Sequence, residues 1–344
     1  MKIGLTYNLK DEVSPLSIMN NEFNEEFDSR KTIDALSLIF EKYGFKTAML
    51  GARLDMADRL KKEKIDFVFN IAEGYYGRNR ESFVPSVLEA FNIPYSGSDP
   101  LTLGMTLDKI VTKKLLHAAK IPTPAYYVVR KIEDIKDAED RLEYPVITKP
   151  AWEGSSKGVY NSSKALDKHG LKKNIKILFK KYPNQPVLVE EYIKGREITV
   201  GVIGNEFPKV MALMEIVNKK HPGEDFFYSL EVKRDWENLV DYESPPRIHN
   251  VLETQIRRFA LMAYREFGCR DVSRIDFRIS EYNDPYLLEI NPLPGLSPEY
   301  GDLAIMARKN KIAYEELVIS ILNSAFSRYG IREVKKKSVE AMGS

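Results

Sequence analysis

Three stretches carry side chains whose types and spacing suit phosphate and metal chemistry. In SRIDFRIS (273–280) the period-two alternation of a strand puts Arg274, Asp276 and Arg278 on one face and Ser273, Ile275, Phe277 and Ile279 on the other. In YLLEIN (286–291) Glu289 and Asn291 likewise share a face. If the two strands pair, Asp276, Glu289 and Asn291 converge. Two carboxylates and an amide carbonyl are the hard oxygen ligands expected of Mg²⁺ bound together with substrate phosphates. A surface hairpin with scattered charges, which Arg274 and Arg278 would suit, gives the same pattern.

The phosphate half lies upstream. ITKPAWEGSSKGV (147–159) places Lys149 at a strand end and follows it with a turn rich in backbone N–H and hydroxyl donors. Such loops fold over anionic phosphates, and lysine supplies them with a point charge; an ordinary hairpin turn would look the same. Neither a Walker A loop nor a GxGxxG pattern occurs. TLDK offers Lys109 at a helix start, where a solvated surface lysine is equally at home. In VLVEEYIKGREITV (187–200), Glu190 and Glu191 close an apolar strand and Glu197 opens the next. Carboxylates there accept from an adenine amino group and ribose hydroxyls, or else guard a sheet edge against aggregation.

The elements that must position these groups follow from the hydrophobic pattern. At 344 residues the chain is long enough for two or three domains. The first hundred residues alternate short apolar strands (KIGLTY, FKTAML, IDFVFNIA) with amphipathic helices, including RKTIDALSLIFEKYG capped at Gly44, and predict an open, mostly parallel sheet. The acidic, asparagine-rich SIMNNEFNEEFD (17–28) is expected as a surface loop. MTLDKIVTKKLLHAAKIPTP opens a second unit, with strands AYYVV and YPVITKP and a helix over KALDKHGLKKNIKILFKKY. A third begins with PVLVEEYI and REITVGVIG, contains an irregular stretch from about Val217 to Pro246 expected as a lid, and closes on two long helices around the RIDF and LLEIN strands. The lysine-rich end, IREVKKKSVEAMGS, has little to bury and is expected to be solvated.

Bulk composition excludes several function classes. Lys+Arg is 52 against 50 Asp+Glu, so there is no basic excess to mark a nucleic-acid surface. The lone Cys269 rules out an internal disulfide framework and a cysteine-rich zinc site, and His117, His169, His221 and His249 have no metal-ligand spacing. No apolar run approaches the ~18 residues of a membrane span, and the N-terminus reads as a first strand rather than a signal peptide. A reducing cytoplasm is the compartment this composition suits.

Taken in order, TLDKIVTKKLL, YPVITKPAWEGSSKGV, VLVEEYIKGREITV, RIDF and LLEINPLPG resemble the ATP-grasp superfamily and, within it, the D-alanine–D-alanine ligase family. With FVFNIAEG and NIPYSGSDPLTLGMTLDK the resemblance extends from about Lys2 to Tyr329. It implies an α/β chain in which an N-terminal Rossmann-like parallel-sheet domain (1–105) precedes an ATP-grasp fold. Two α+β subdomains (106–186 and 187–330) sandwich ATP there, and a flexible tail (331–344) follows. It further implies that Lys109 and Lys149 hold the nucleotide phosphates under a loop carrying Ser155 and Ser156. Glu190, Glu191 and the backbone of Ile193 would surround adenine, Glu197 would bind ribose, and Asp276, Glu289 and Asn291 would hold two Mg²⁺ ions, with Mn²⁺ the alternative. Lys233, in the lid, would reach the γ-phosphate. Arg274 and the Gly295 N–H would form an oxyanion site, with Ser155 beside the reacting groups. The implied reaction turns a carboxylate into an acyl phosphate that an amine attacks, giving an amide, ADP and phosphate; the implied assembly is a homodimer through the first domain.

Departures from the family pattern fall on the amino-acid pockets. Glu12 aligns with the acid that holds the first substrate's ammonium group, though its surroundings differ. A family histidine reads here as Glu73, a lid tyrosine as Arg234, and the serine that grips the second substrate's carboxylate as Tyr300. ATP activation of a carboxylate is therefore expected. The substrates are D-alanine or, alternatively, other amino acids or small peptides, and Arg234 could bind an acidic one bidentately or stand solvated. A non-catalytic ATP-binding regulator is the contrasting expectation, disfavoured by the presence of Arg274 and Lys233.

Overall fold

The computed structural model describes residues 1–11, 22–221 and 226–335. Strands β1 (Lys2–Thr6), β2 (Lys46–Met49) and β3 (Phe67–Asn70) form a parallel sheet of order β2-β1-β3. The helix Arg30–Lys42 that joins β1 to β2 starts at Ser29, whose hydroxyl accepts from the Thr32 N–H, and its chain turns away at Gly44 with φ +89°. Everything beyond is antiparallel. Strands β4 (Tyr126–Val129), β5 (Val146–Pro150), β6 (Lys164–Ala165) and β7 (Val187–Glu191) make a four-stranded sheet in the order β4-β7-β5-β6. Strands β8 (Gly195–Ile203), β9 (Lys209–Asn218), β10 (Val240–Glu243), β11 (Val272–Ser280) and β12 (Pro285–Asn291) make a five-stranded one in the order β10-β9-β8-β11-β12.

Alternation decides what each face of the larger sheet does. Ile198, Val200, Ile275, Phe277, Ile279 and Leu287 are buried under the helix Asn250–Glu266, which supplies Leu252, Ile256, Ala260 and Ala263. The opposite face carries the polar series from Arg274 to Asn291. Arg274 and Asp276 are partly buried and Arg278 fully so, so β11 and β12 are not a surface hairpin. The first sheet packs Val68 on one face against Leu50, Met56, Val84, Leu88 and Tyr95, but its other face shares a core with distant parts of the chain. Ile3, Leu5, Phe67 and Phe69 share one with Met214, Leu303, Leu322 and Phe326 from the far end of the chain. The rings of Phe67 and Phe326 meet edge-on at 4.9 Å.

Three expectations are corrected, and one element is new. Among its described residues the stretch from Val217 contains regular elements: β9 runs on to Asn218, the short helices Leu230–Arg234 and Trp236–Leu239 lie within it, and β10 pairs back on β9 with Tyr242 opposite Ile216, while residues 222–225 lie outside the described residues. The helix Asp302–Lys309 was not expected at all. Residues 22–28 of the acidic stretch are not a solvated loop. Glu22 accepts from Tyr160, Tyr182 and Lys181, and Glu26 from Arg80, Lys157 and the Gly154 N–H, so the carboxylates are buried with donors in place. The C-terminal end begins docked: Ile331 and Val334 pack on the shared core, and Val334 exchanges backbone hydrogen bonds with the Asn323 side chain.

Candidate active site

The polar face of the five-stranded sheet and the inner end of the four-stranded sheet line one cleft, roofed by residues 226–233. At its base Asp276 stands directly opposite Glu289, and Arg274 opposite Asn291, in the β11–β12 register. Asp276 is fixed from several sides. It accepts from Thr199 Oγ1 at 2.6 Å, from Asn291 Nδ2 at 2.9 Å, and from Arg274 Nε and Nη2 at 3.0 and 2.9 Å. Glu289 pairs with Lys109 at 3.3 Å. Burial would raise the Glu289 carboxyl, but Lys109 and Lys149 outweigh it and hold it below the ordinary range, so it is ionised at neutral pH. Two facing carboxylates with an amide beside them, next to two lysines, are a donor set that fits a hard divalent cation bound with phosphate oxygens.

Lys109 is the first residue of its helix. Asp108 caps that helix by accepting from the Ile110 and Val111 N–H groups, and is itself gripped by Arg78 and the Trp152 indole. The Lys109 ammonium also donates to the Glu153 carbonyl at 2.5 Å. Lys149, at the end of β5, meets Glu190 of β7 at 2.7 Å, and Lys113 meets the other oxygen of the same carboxylate at 2.6 Å. Lys113 and Glu190 are each 1% exposed. Burial would raise the Glu190 carboxyl, but the two ammonium groups bring it down to about 2. The signal for Lys113 in the sequence is a charge on the helix face that also carries Ile110, one turn from it.

The loop between β5 and β6 is held in left-handed backbone at Ser155 (φ +49°) and Ser156 (φ +59°), a conformation that needs surrounding structure to maintain it. The roof supplies that support. Ser156 Oγ donates to the Tyr228 carbonyl, Leu230 N–H to the Val159 carbonyl, and Ser229 Oγ to Asn161. Ser155 faces both the cleft and a smaller pocket beside it. Lys233 projects into the cleft, its ammonium pushed down by burial and by Arg274. Glu197 accepts from the Tyr228 N–H and from Arg278, which also donates to the Ile193 carbonyl at 2.7 Å. Burial raises the Glu197 carboxyl despite Arg278. Glu191 and Ile193 line the same cleft.

Arg274 has a partner that sequence reading missed: its Nη1 donates to Asp302 at 2.8 Å, at the start of the unexpected helix. An arginine has five N–H donors. With Nε, one Nη2 and one Nη1 hydrogen so placed, two remain to face a substrate oxygen. The Gly295 N–H donates to no backbone carbonyl among the described residues. Of the residues singled out for substrate, Glu73 lines the smaller pocket. Arg234 lies outside the cleft and pairs with Glu25, and Tyr300 stacks under the Lys10 ammonium at 4.9 Å. Glu12 lies outside the described residues.

The pattern of the family described as "D-ala D-ala ligase C-terminus" matches residues 115–323, more than half the chain. The D-alanine–D-alanine ligase of Carboxydothermus hydrogenoformans is 35% identical over 304 residues, covering 86% of this chain and 92% of that protein. The uncharacterized protein y4sG of Sinorhizobium fredii is 34% identical over 262 residues, covering 76% and 75%. The crystal structure of the Bacillus anthracis D-alanine–D-alanine ligase with ATP superposes with a TM-score of 0.75 at 24% identity, covering 96% of this chain and 98% of that one. The Lys109–Lys149 and Asp276–Glu289–Asn291 groups thus sit on a fold shared along nearly the whole length of both chains, and this chain belongs to the D-alanine–D-alanine ligase family.

Proposed function

We propose that the chain joins a carboxylate to an amine with hydrolysis of ATP to ADP and phosphate, by way of an acyl phosphate. The observation that carries this is the convergence on one cleft of Lys109, Lys149, Lys233, Arg274 and the Asp276–Glu289 pair, drawn from five separate elements. Lys109 and Lys149 neutralise the phosphate chain, and Lys233 descends from the roof toward its outer end. Glu190 orients Lys149 and, with Glu191, Glu197 and the Ile193 backbone, forms the end of the cleft suited to the nucleoside. Asp276, Glu289 and Asn291 would hold Mg²⁺ (two ions, Mn²⁺ the alternative), which when bound neutralises charge on the transferring phosphoryl group. Arg274 and the Gly295 N–H then face the acyl carbon as the amine attacks. Loss of one such donor typically costs about 3–4 kcal/mol of barrier. Ser155, shared by both pockets, orients the carboxylate between them.

The substrates proposed are amino acids or small peptides, with D-alanine the substrate in the names of the related ligases. The units proposed are 1–105, 106–186 and 187–330, working as a homodimer through the first. Leu54, Tyr76 and Leu101, all exposed, line an open apolar groove there and support that assembly. A buried, unpaired Cys269 is consistent with a cytoplasmic setting, and no helix among the described residues is long and apolar enough to cross a membrane. The test is phosphate release with Mg²⁺ and ATP across a matrix of D- and L-amino acids and dipeptides, with product mass. Release should require an amino-acid pair and vanish in Glu289→Gln. ATP binding without turnover on any pair would replace the ligase by a regulator.

A further inference from the structure

The smaller pocket is lined by Lys109, Arg274 and Gly295 and by an acidic wall of Glu26, Glu73 and Glu81. A tight turn brings the last two together. Gly74, at φ +76°, lies so close over residue 80 that a Cβ there would be 2.2 Å from the Arg80 carbonyl oxygen. The residues just before and after this contact, Glu73 and Glu81, therefore face the same space.

The three acids are not equivalent. Glu26 is neutralised by Arg80 and Lys157. Glu81 is only 8% exposed, and neither it nor Glu73 has a hydrogen bond or ion pair with any described residue. The nearby cations bond other groups: Arg80 binds Glu26 and the Trp152 carbonyl through its Nη atoms, its Nε being left without a partner, Lys157 binds Glu26 and Glu153, Lys109 the Glu153 carbonyl and Glu289, and Arg274 binds Asp276 and Asp302. Burial raises both carboxyls, Glu81 to about 7. Glu26 adds to both shifts and Arg80 opposes both, while Glu81 and Asp28 raise Glu73 further and Lys109 and Lys157 lower Glu81. A buried carboxylate without a cation is costly and takes up a proton instead; a positive ligand entering the pocket is what would keep these two acids ionised.

We propose that Glu73 and Glu81 receive a positively charged side chain of the carboxylate substrate, so that the enzyme activates a diamino or guanidino acid in preference to a neutral one. This rests on the ligase reading above. A substrate carboxylate placed at Arg274 and Gly295 directs the rest of the molecule toward the acidic wall. A single α-ammonium balances one carboxylate there; the second calls for a second positive charge. The acids line the smaller pocket and not the main cleft, so they act on substrate choice rather than on ATP.

The test compares alanine, 2,3-diaminopropionate, 2,4-diaminobutyrate and lysine as carboxylate donors, in both hands, with a fixed amine and saturating Mg²⁺ and ATP. A diamino acid should exceed alanine in kcat/KM by about 10- to 100-fold, the range for a hydrogen-bonded charge. Glu81→Gln and Glu73→Gln should each shrink that ratio through KM while the KM for ATP stays unchanged. Equal use of alanine and the diamino acids by the wild type, or an unchanged ratio in both variants, overturns the proposal. If no amino acid supports phosphate release, the ligase reading falls, and ligand binding decides the pocket alone. The unfolding midpoint should then rise with 2,3-diaminopropionate but not alanine, and this rise should be lost in Glu81→Gln; its absence in the wild type overturns the proposal.

Discussion

Replacing Glu190 by Gln removes one charge from between two buried ammonium groups. Lys113 at 2.6 Å and Lys149 at 2.7 Å both depend on this carboxylate, and burial leaves little water to replace it. At an effective dielectric of ~20, each pair at such contact is worth roughly 6 kcal/mol of attraction. In the variant both attractions go and the mutual repulsion of the lysines remains. Much of this is recovered, because the amide oxygen still accepts one hydrogen bond and Lys113, already pushed down by burial, can shed its proton. The net cost of breaking a buried pair is about 3–5 kcal/mol. With unfolding entropy of ~2.1 cal/mol/K per residue, a chain of this length has ~0.7 kcal/mol/K, so the midpoint should fall by roughly 4–7 °C. The assay is thermal and urea unfolding without nucleotide, for Glu190→Gln, Lys113→Met and the double variant. The double variant should be less destabilised than the sum of the singles, because removing both leaves only Lys149 uncompensated. A Glu190→Gln midpoint within ~1 °C of wild type, or strict additivity, would refute the reasoning.

Three further outcomes are expected. Glu26 and Glu190 are both held at about 2 against an ordinary 4.5, so the stability they contribute is present above that value and is lost as pH falls toward 2. Glu81 is shifted the other way, to about 7; its contribution is present below 4.5 and lost as pH rises to 7. Glu81→Gln should therefore raise the unfolding midpoint at pH 8 and leave it unchanged at pH 4, and a shift at both would be contrary to this assignment. Gly74→Ala puts a Cβ against the Arg80 carbonyl in left-handed backbone, and should destabilise by about 1–3 kcal/mol in urea unfolding. Arg234→Ala removes only a half-exposed pair with Glu25, so it should change the unfolding free energy by at most about 1 kcal/mol. A large loss of turnover in that variant would place Arg234 on a substrate after all.

Alternation in SRIDFRIS and YLLEIN was enough to put Asp276, Glu289 and Asn291 on one face, because the period of a strand is two whatever surrounds it. Local chemistry likewise marked the Gly-Ser loop, the helix starting at Lys109, and the parallel βαβ beginning. What sequence could not show is which charges are partnered, since partners lie far apart in the chain. Glu22 and Glu26 read as solvated because nothing near them announces Tyr160, Tyr182, Lys157 or Arg80. Nothing local marks Lys113 as paired, because Glu190 is 77 residues away by the numbering. Asp302 was invisible behind a helix whose apolar face is defined only by the core it shares with the first sheet. The tertiary structure alone decided these, because a buried charge persists only where packing brings it a counter-charge. By the same rule, Glu73 and Glu81 stand out only once the folded pocket shows them lining it without an ion pair.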